Sequence, residues 1–395
     1  MPRTLVITND FPPRQGGIET FVQAMTDRCP TDEVVVFTSS EPGGTAFDAA
    51  LPYPVVRDRA GMLLPTPRAT SRAVRLARRY DCDRVWFGAA APLGLMAQRL
   101  RREAGIRRLV ATTHGHEVWW ARTPGARGLL RRIGVSVDTL TYLGPSTREP
   151  IAAALGHSRF RGMPRPGAQK IPATERTARL ERLVPGVDAT AFHPGAAAGE
   201  RDALRERYGL GGRPVVLCAA RLVARKGQDA LIQALPRVRA AVPGTQLLLV
   251  GSGPYERALR RTAAAERVQD HVVFAGGHPH GAMPRFYAAA DVFAMPCRTR
   301  KGGLEVEGLG IVYLEAAAAG LPVLAGDSGG APDAVRDGET GHVVDGRRVG
   351  EVADRLVRLL RDRETAREMG RQGRDWVRTE WDWDRSYERL AAFLE

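Results

Sequence analysis

Two carboxylates enclose a glycine-rich segment in the second half of the chain, and they are its strongest chemical signal. Glu307 and Glu315 flank the sequence Gly-Leu-Gly-Ile-Val-Tyr-Leu. The pattern predicts a helix with Glu315 inside it and Glu307 before its start, where backbone N–H groups are unpaired. One carboxylate can then bind one polyol and the other carboxylate can bind a second polyol. The amides between them can bind a phosphate. The alternative is glycosidase-like acid–base chemistry. The amides belong to Gly308, Leu309, Gly310 and Ile311.

Two cations follow the first predicted strand of the second half. Arg221 and Lys226 lie in the segment Ala-Ala-Arg-Leu-Val-Ala-Arg-Lys-Gly. Ligands of open α/β sheets bind at the carboxyl ends of the strands, which is where both side chains are expected. Two cations there can neutralise a pyrophosphate without a metal. The alternative is a pair of solvated surface charges.

Two glycine turns each follow a predicted strand. Gly16 and Gly17 precede a helix, whose N-terminal amides and dipole favour an anion; a plain turn is the alternative. Gly251 and Gly253 lie in a Gly-Ser-Gly-Pro turn that we interpret as a phosphate-approach turn. The third glycine of a dinucleotide fingerprint is missing and Pro254 follows, so we exclude that motif.

The run His114-Gly115-His116-Glu117 follows another predicted strand. We favour contact of this run with a sugar over a zinc site, because a full ligand set is not visible. The acidic triplets at 81–83 and 382–384 are interpreted as loops. We therefore expect neither a metal nor a cofactor.

Short apolar runs alternate with helical patterns through both halves, which predicts βαβ units and parallel sheets. The fold class is therefore α/β, with two doubly wound, Rossmann-like domains facing a cleft. The predicted strands are Leu5–Asn9, Val34–Thr38, Val85–Gly88, Leu109–Thr113, Thr139–Leu143, Val215–Ala220, Leu247–Val250, Val272–Ala275, Val292–Met295 and Pro322–Ala325.

The predicted domain boundary lies near residues 183–188. The first domain covers residues 1–185 and the second 186–375, and an aromatic C-terminal helix at 376–395 rejoins the first. Residues 161–177, rich in proline, glycine and charge, are interpreted as a surface loop.

The net charge is +14, and residues 1–185 hold 28 of the 58 basic residues against 16 of the 44 acidic ones. This imbalance indicates an anionic partner: nucleic acid, a membrane surface or a phosphorylated substrate. In residues 68–80, Arg68, Arg72, Arg75 and Arg79 form a basic face beside an apolar one, typical of an interfacial helix or of a solvated surface helix. The basic residues are not interleaved with aromatics and no nucleic-acid motif is present, so we expect no nucleic-acid partner.

No apolar run approaches the ~20 residues of a membrane-spanning helix. The four cysteines are scattered and the N-terminus has no signal-peptide pattern, so we expect a cytoplasmic protein.

Five of these elements, in their order along the chain, resemble the retaining GT-B glycosyltransferases of family 4. They are the glycine turn at 16–17, the run at 114–117, the Arg221 and Lys226 pair, the turn at 251–253 and the Glu307…Glu315 element. The segments 8–13, 114–120 and 295–307 are further similar to actinobacterial GDP-mannose-dependent enzymes that add the second mannose to phosphatidylinositol mannosides. The resemblance implies a GT-B fold, a phosphoinositide glycolipid acceptor, and a peripheral position on the anionic inner face of the cell membrane.

The resemblance also implies residue roles. Gly16, Gly17, Gly251 and Gly253 would belong to the donor site. Arg221 and Lys226 would stabilise the leaving pyrophosphate, and Glu315 would bind the ribose. Glu307 and the amides of 308–311 would hold the sugar and the β-phosphate, with His114 beside the sugar. The catalytic set implied is His114, Arg221, Lys226 and Glu307.

Other hypotheses remain at this stage. The same fold can use a UDP-sugar donor, or a soluble acceptor such as inositol phosphate or a glycan. A basic nucleic-acid-binding protein is a different class, and a nicotinamide-dependent oxidoreductase is disfavoured because no GxGxxG motif follows either first strand.

Overall fold

The computed structural model describes residues 3–14, 16–156, 177–303 and 305–395, which form two α/β units. The first unit comprises residues 1–185 and 383–395, and the second comprises 186–382. The loop predicted at 161–177 lies outside the described residues except for Thr177.

The first unit is built on a seven-stranded sheet in the order β3-β2-β1-β4-β5-β6-β7, with every described pair parallel. Its strands are β1 (Arg3–Ile7), β2 (Val34–Thr38), β3 (Val55–Arg57), β4 (Cys82–Phe87), β5 (Arg108–Ala111), β6 (Thr139–Tyr142) and β7 (Arg179–Arg182). The chain runs outward from β1 and then returns to β4 on its other side, as in doubly wound folds.

Helices cover both faces of this sheet, because alternate residues of its strands point to opposite sides. Leu5 and Ile7 of β1 join one apolar cluster, and Val6 joins the other. The helices are α1 (Gly17–Thr26), α2 (Gly44–Asp48), α3 (Pro67–Arg79), α4 (Ala97–Ala104), α5 (Glu117–Arg122), α6 (Ala126–Ser136) and α7 (Pro145–Leu155).

The second unit repeats this winding with six parallel strands in the order β10-β9-β8-β11-β12-β13. They are β8 (Val215–Ala219), β9 (Gln246–Val250), β10 (Val272–Gly276), β11 (Val292–Met295), β12 (Val323–Gly326) and β13 (Gly341–Val344). Its helices are α8 (Ala198–Arg207), α9 (Gln228–Ala241), α10 (Glu256–Ala265), α11 (Met283–Ala288), α12 (Ile311–Ala318), α13 (Val349–Arg361) and α14 (Arg363–Glu380).

The C-terminal segment differs from the single helix predicted at 376–395. It forms the end of α14 and a separate helix, α15 (Trp383–Leu394), and residues up to Asp382 group with the second unit. The break falls at Trp381, which has non-helical backbone angles and is fully buried, with its ring edge-on to Trp376 of α14. Leu390 and Leu394 of α15 are buried in the first unit, so the chain does return there.

Neither acidic triplet is wholly a loop, because β4 begins at Cys82 and α15 begins at Trp383. No helix among the described residues is long and apolar enough to cross a membrane.

Candidate active site

The predicted site residues divide between the units, and in the second unit they centre on the buried carboxylate of Glu307. This side chain follows β11 and precedes α12, and the residue is 7 % exposed. Its Oε2 atom lies 2.7 Å from Nζ of Lys226 and 2.9 Å from Nη1 of Arg225. The structure therefore joins Glu307 and Lys226 directly and adds a second cation that the sequence analysis did not single out.

The start of α12 has the geometry expected of an anion site. Gly310 precedes the helix with φ 78°, a left-handed conformation that glycine adopts without strain. No described residue accepts a hydrogen bond from the amides of 308–311. The segment is held from behind by Gly329 and Gly330, since a Cβ atom on either would lie 2.0 Å from the carbonyl oxygens of Glu307 and Gly308 respectively. These amides are thus fixed in place with their donors unused.

Glu315 lies inside α12, as predicted, and is 3 % exposed. Its Oε1 atom is 2.8 Å from Nε2 of His280, and its Oε2 atom accepts a hydrogen bond of 2.8 Å from the Tyr287 hydroxyl. The hydrogen bond to Glu315 raises the pKa of His280, whereas burial chiefly raises the pKa of Tyr287 well above its ordinary value. Tyr287 is therefore a neutral donor to this carboxylate.

Arg221 is exposed, and its guanidinium has no ion-pair partner among the described residues. It follows β8 next to the turn after β9, because the Leu222 amide donates to the Ser252 carbonyl at 3.0 Å. Of the two predicted cations, Arg221 is thus the one without an ion-pair partner among the described residues.

Close packing explains why glycines occupy the turn after β9. A Cβ atom on Gly251 would lie 2.1 Å from the Ala220 carbonyl oxygen, and one on Gly253 would lie 2.4 Å from that of Leu222. The Gly251 amide also donates to the Gly276 carbonyl at 2.8 Å. That amide is therefore engaged within the protein, which the prediction of a phosphate-approach turn did not anticipate.

In the first unit, His114 follows β5 and has a defined tautomer. Its Nε2 atom is 2.6 Å from the Gly88 carbonyl oxygen, which only accepts hydrogen bonds, so Nε2 carries the proton and Nδ1 is an acceptor. Burial lowers the pKa of the imidazole. The Phe21 ring of α1 lies edge-on to it at 5.2 Å. A neutral imidazole with an acceptor nitrogen suits a hydroxyl group.

The N-terminus of α1 shows Gly16 and Gly17 in the predicted position, but with a carboxylate beside them. A Cβ atom on Gly16 would lie within van der Waals overlap of the Glu19 carboxylate, whereas one on Gly17 would meet nothing within 4 Å. Glu19 is 3.0 Å from Nε of Arg14 and is buried, which raises its pKa. This third residue of α1 was missed, although acidic residues favour the first turn of a helix.

The zinc alternative at 114–117 gains no support. Glu117 Oε2 instead accepts the His114 backbone amide at 2.9 Å. Within the described ranges, no three His, Cys, Asp or Glu side chains are grouped so as to hold a metal ion.

Arg225, His280 and Tyr287 are the other site residues that the sequence analysis missed. Arg225 could have been suspected because it adjoins Lys226. His280 and Tyr287 carry no sequence signal, because only folding brings the turn after β10 and helix α11 into contact with Glu315.

Comparisons with known proteins identify what the chain is similar to. Residues 200–376 match the family model described as "Glycosyl transferases group 1", and residues 15–165 match "Glycosyltransferase Family 4". A GDP-mannose-dependent alpha-(1-6)-phosphatidylinositol monomannoside mannosyltransferase of Mycobacterium tuberculosis is 48 % identical over all of this chain and 98 % of its own. A GDP-mannose-dependent monoacylated alpha-(1-6)-phosphatidylinositol monomannoside mannosyltransferase of Corynebacterium glutamicum is 44 % identical with the same coverage.

Solved structures show the same architecture at low sequence identity. Alr3699/HepE of Anabaena in complex with UDP aligns with a TM-score of 0.78 and 17 % identity over 99 % of both chains. Sucrose-phosphate synthase of Thermosynechococcus elongatus aligns with a TM-score of 0.73 and 21 % identity over 99 % of this chain and 98 % of its own. The predicted α/β fold class of two Rossmann-like domains is therefore confirmed, and its neighbours are GT-B proteins.

Proposed function

Because the chain belongs to the family 4 glycosyltransferases, and within them to the GDP-mannose-dependent phosphatidylinositol monomannoside mannosyltransferases, we propose that it transfers an α-mannosyl residue from GDP-mannose to a phosphatidylinositol monomannoside. The observation that carries the transfer chemistry is the buried Lys226–Glu307 pair beside the unpaired amides at the start of α12. The relatives supply the identity of the donor and of the acceptor.

The second unit binds the donor in this proposal. Arg221 and Lys226 neutralise the diphosphate, and the amides of 308–311 bind its β-phosphate. Glu315 accepts hydrogen bonds from the ribose hydroxyls, exchanging His280 or Tyr287 for them. The second oxygen of Glu307, which has no partner among the described residues, accepts a hydroxyl of the mannose.

The first unit supplies the remaining contacts. Gly16 and Gly17 approach the donor phosphate, which requires the Glu19 carboxylate to move away from the start of α1. Nδ1 of the neutral His114 accepts a hydrogen bond from a hydroxyl of the transferred sugar.

We propose that the transfer retains the α configuration, as the resemblance to the retaining enzymes of family 4 implies. The acceptor oxygen bonds to C1 of mannose on the face that the leaving phosphate occupies, while the bond from C1 to the phosphate oxygen breaks. The acceptor proton passes to that phosphate oxygen. Negative charge builds on the departing diphosphate, where Arg221 and Lys226 stabilise it. Loss of one such contact costs ~3 kcal/mol, or about a hundredfold in rate.

A membrane-facing surface on the first unit suits a lipid acceptor. Arg68, Arg75 and Arg79 of α3 are exposed, whereas Arg72 pairs with Asp58 at 2.7 Å. The loop before α3 exposes Met62 and Leu64, at 61 % and 49 %. Exposed apolar residues beside a basic helix face are typical of binding to anionic bilayers. We place the enzyme on the inner face of the cell membrane.

The loop that carries Met62 and Leu64 is tied to the sheet edge. The Asn9 side chain, just after β1, accepts the Leu63 amide at 2.6 Å and donates to the Leu63 carbonyl at 3.0 Å. The surface that would meet lipid is therefore fixed relative to the edge of the sheet where Gly16 and His114 lie.

Transfer of labelled mannose tests the proposal. Purified protein is given GDP-mannose or UDP-glucose, with phosphatidylinositol monomannoside in anionic vesicles or with a soluble glycan. We expect transfer from GDP-mannose to the lipid, and weaker transfer by Arg68→Gln/Arg75→Gln at physiological salt. Transfer to the soluble glycan alone would reject the acceptor, and preference for UDP-glucose would reject the donor.

A further inference from the structure

Glu307 is paired with two cations, one more than a single ion pair requires. Lys226 and Arg225 both reach the same oxygen, Oε2, at 2.7 and 2.9 Å. Arg225 also points Nη1 toward the Val306 carbonyl at 3.5 Å, and its side chain is 24 % exposed. The other oxygen of Glu307 has no partner among the described residues.

In the proposed function, Lys226 has two anionic partners, Glu307 and the donor diphosphate, and its single ammonium group cannot pair fully with both at once. Lys226 carries one ammonium group on a flexible stem, and the structure holds that group on Glu307. Binding of the diphosphate requires the same group to turn toward phosphate. If Lys226 were the only partner of Glu307, its departure would leave a carboxylate that is 7 % exposed without a counter-charge, which is strongly unfavourable.

We propose that Arg225 is a positioning residue that stays on Glu307 while Lys226 turns to the donor diphosphate. This inference rests on the proposed function and deepens it. Arg225 keeps Glu307 charge-paired and oriented in both states, so that Lys226 is released without stranding a buried charge. The donor then meets a mobile ammonium for its phosphate and a fixed carboxylate for its sugar.

The backbone around Arg225 is rigid enough for this role. Its carbonyl oxygen accepts the Arg298 amide at 2.9 Å. The short helical turn Ala224–Lys226 ends at Gly227, whose φ is 78° and where a Cβ atom would lie 2.0 Å from the Pro296 carbonyl oxygen. The backbone of residues 225–227 is thus held against the segment that follows β11.

Titration calorimetry with GDP on four proteins tests the exchange: the wild type, Arg225→Gln, Glu307→Gln and the double variant. Arg225→Gln should weaken GDP binding about tenfold, because Glu307 then retains Lys226. The double variant should bind within about threefold of Glu307→Gln, because removing the carboxylate charge frees the lysine. Arg225→Lys should restore most of the affinity. These changes are non-additive, as expected for side chains in one charge network.

Arg237→Gln is the matched control, because Arg237 of α9 is an exposed arginine of the same unit that pairs with Asp354. It should bind GDP like the wild type. Two results would overturn the exchange: unchanged GDP affinity in Arg225→Gln, or a double variant as weak as Arg225→Gln. If Arg225→Gln does not fold, Arg225→Lys decides, since a loss of affinity beyond about tenfold with charge retained contradicts the role.

Lys226→Gln separates failure of this inference from failure of the proposed function. If Lys226→Gln does not weaken GDP binding, the donor role of Lys226 is wrong and the exchange falls with it. If Lys226→Gln weakens binding and Arg225→Gln does not, the donor role stands and only the exchange is wrong.

Discussion

At the scale of single residues, the site is a set of buried carboxylates whose partners are already in place. Glu307 is bonded to Lys226 and Arg225, and Glu315 to His280 and Tyr287. Burying a charge is costly unless it is paired, so these partners allow the carboxylates to exist before a substrate arrives. In the proposed function, substrate groups replace some of these partners when they bind.

The His280–Glu315 pair predicts a pH dependence of stability. The hydrogen bond to Glu315 raises the pKa of His280 above its value in the unfolded chain. The stabilisation is therefore complete below the unfolded pKa and is lost as the pH rises through the folded-state pKa. Because the His280 side chain is 65 % exposed, the effect is below ~1 kcal/mol. Urea unfolding should show a larger difference in unfolding free energy between wild type and His280→Asn at pH 5.5 than at pH 8.5. An equal difference at both values would contradict the ion pair.

Residue types and spacing predicted where the candidate side chains lie along the helices and turns, but not how they pair. The seven-residue interval between Glu307 and Glu315 placed one carboxylate before α12 and one inside it, as the structure shows. The double pairing of Glu307 could not be predicted from the sequence, because Arg225 is more than 80 residues away along the chain. Sequence spacing does not determine which cation pairs with which carboxylate after folding. The Glu19 carboxylate beside Gly16 is a rotamer choice, which spacing does not determine.

At the scale of elements, the buried strands were predictable and three edge strands were not. Val34–Thr38 and Val292–Met295 were predicted with the bounds that they have, because helices cover both faces of such strands and every residue is apolar or buried. The strands β3, β7 and β13 were missed. Each lies at a sheet edge, and β3 and β7 hold no fully apolar run because they are half-exposed.

The turn after β9 gives a prediction at this scale. Gly251 has φ 139°, and a Cβ atom there would overlap the Ala220 carbonyl oxygen. Gly251→Ala should lower the free energy of unfolding by ~3 kcal/mol through backbone strain and displacement of β8 from β9. Thermal unfolding measures this, with Gly212→Ala as control, because a Cβ atom on Gly212 would meet nothing within 4 Å. Equal stability of the two variants would show that the turn is not tightly packed.

At the scale of the whole molecule, each unit contributes a different part of the proposed reaction. The second unit holds the cations and both site carboxylates, and the first holds His114, the start of α1 and most of the basic excess. The charge asymmetry could be predicted from the sequence, because it requires only a count of basic and acidic residues in each half. Some of these arginines pair with acidic residues that the count already includes, as in the Arg72–Asp58 and Arg57–Asp48 pairs.

The central claim is that Arg221 and Lys226 perform the charge neutralisation that drives the diphosphate away from mannose. The rate of mannose transfer from GDP-mannose to phosphatidylinositol monomannoside, measured with a chelator present, tests it most directly. The wild type should keep its full rate, and Arg221→Gln/Lys226→Gln should lose at least about a hundredfold in kcat/KM. Loss of wild-type transfer with the chelator, or an undiminished rate in the double variant, would contradict the claim.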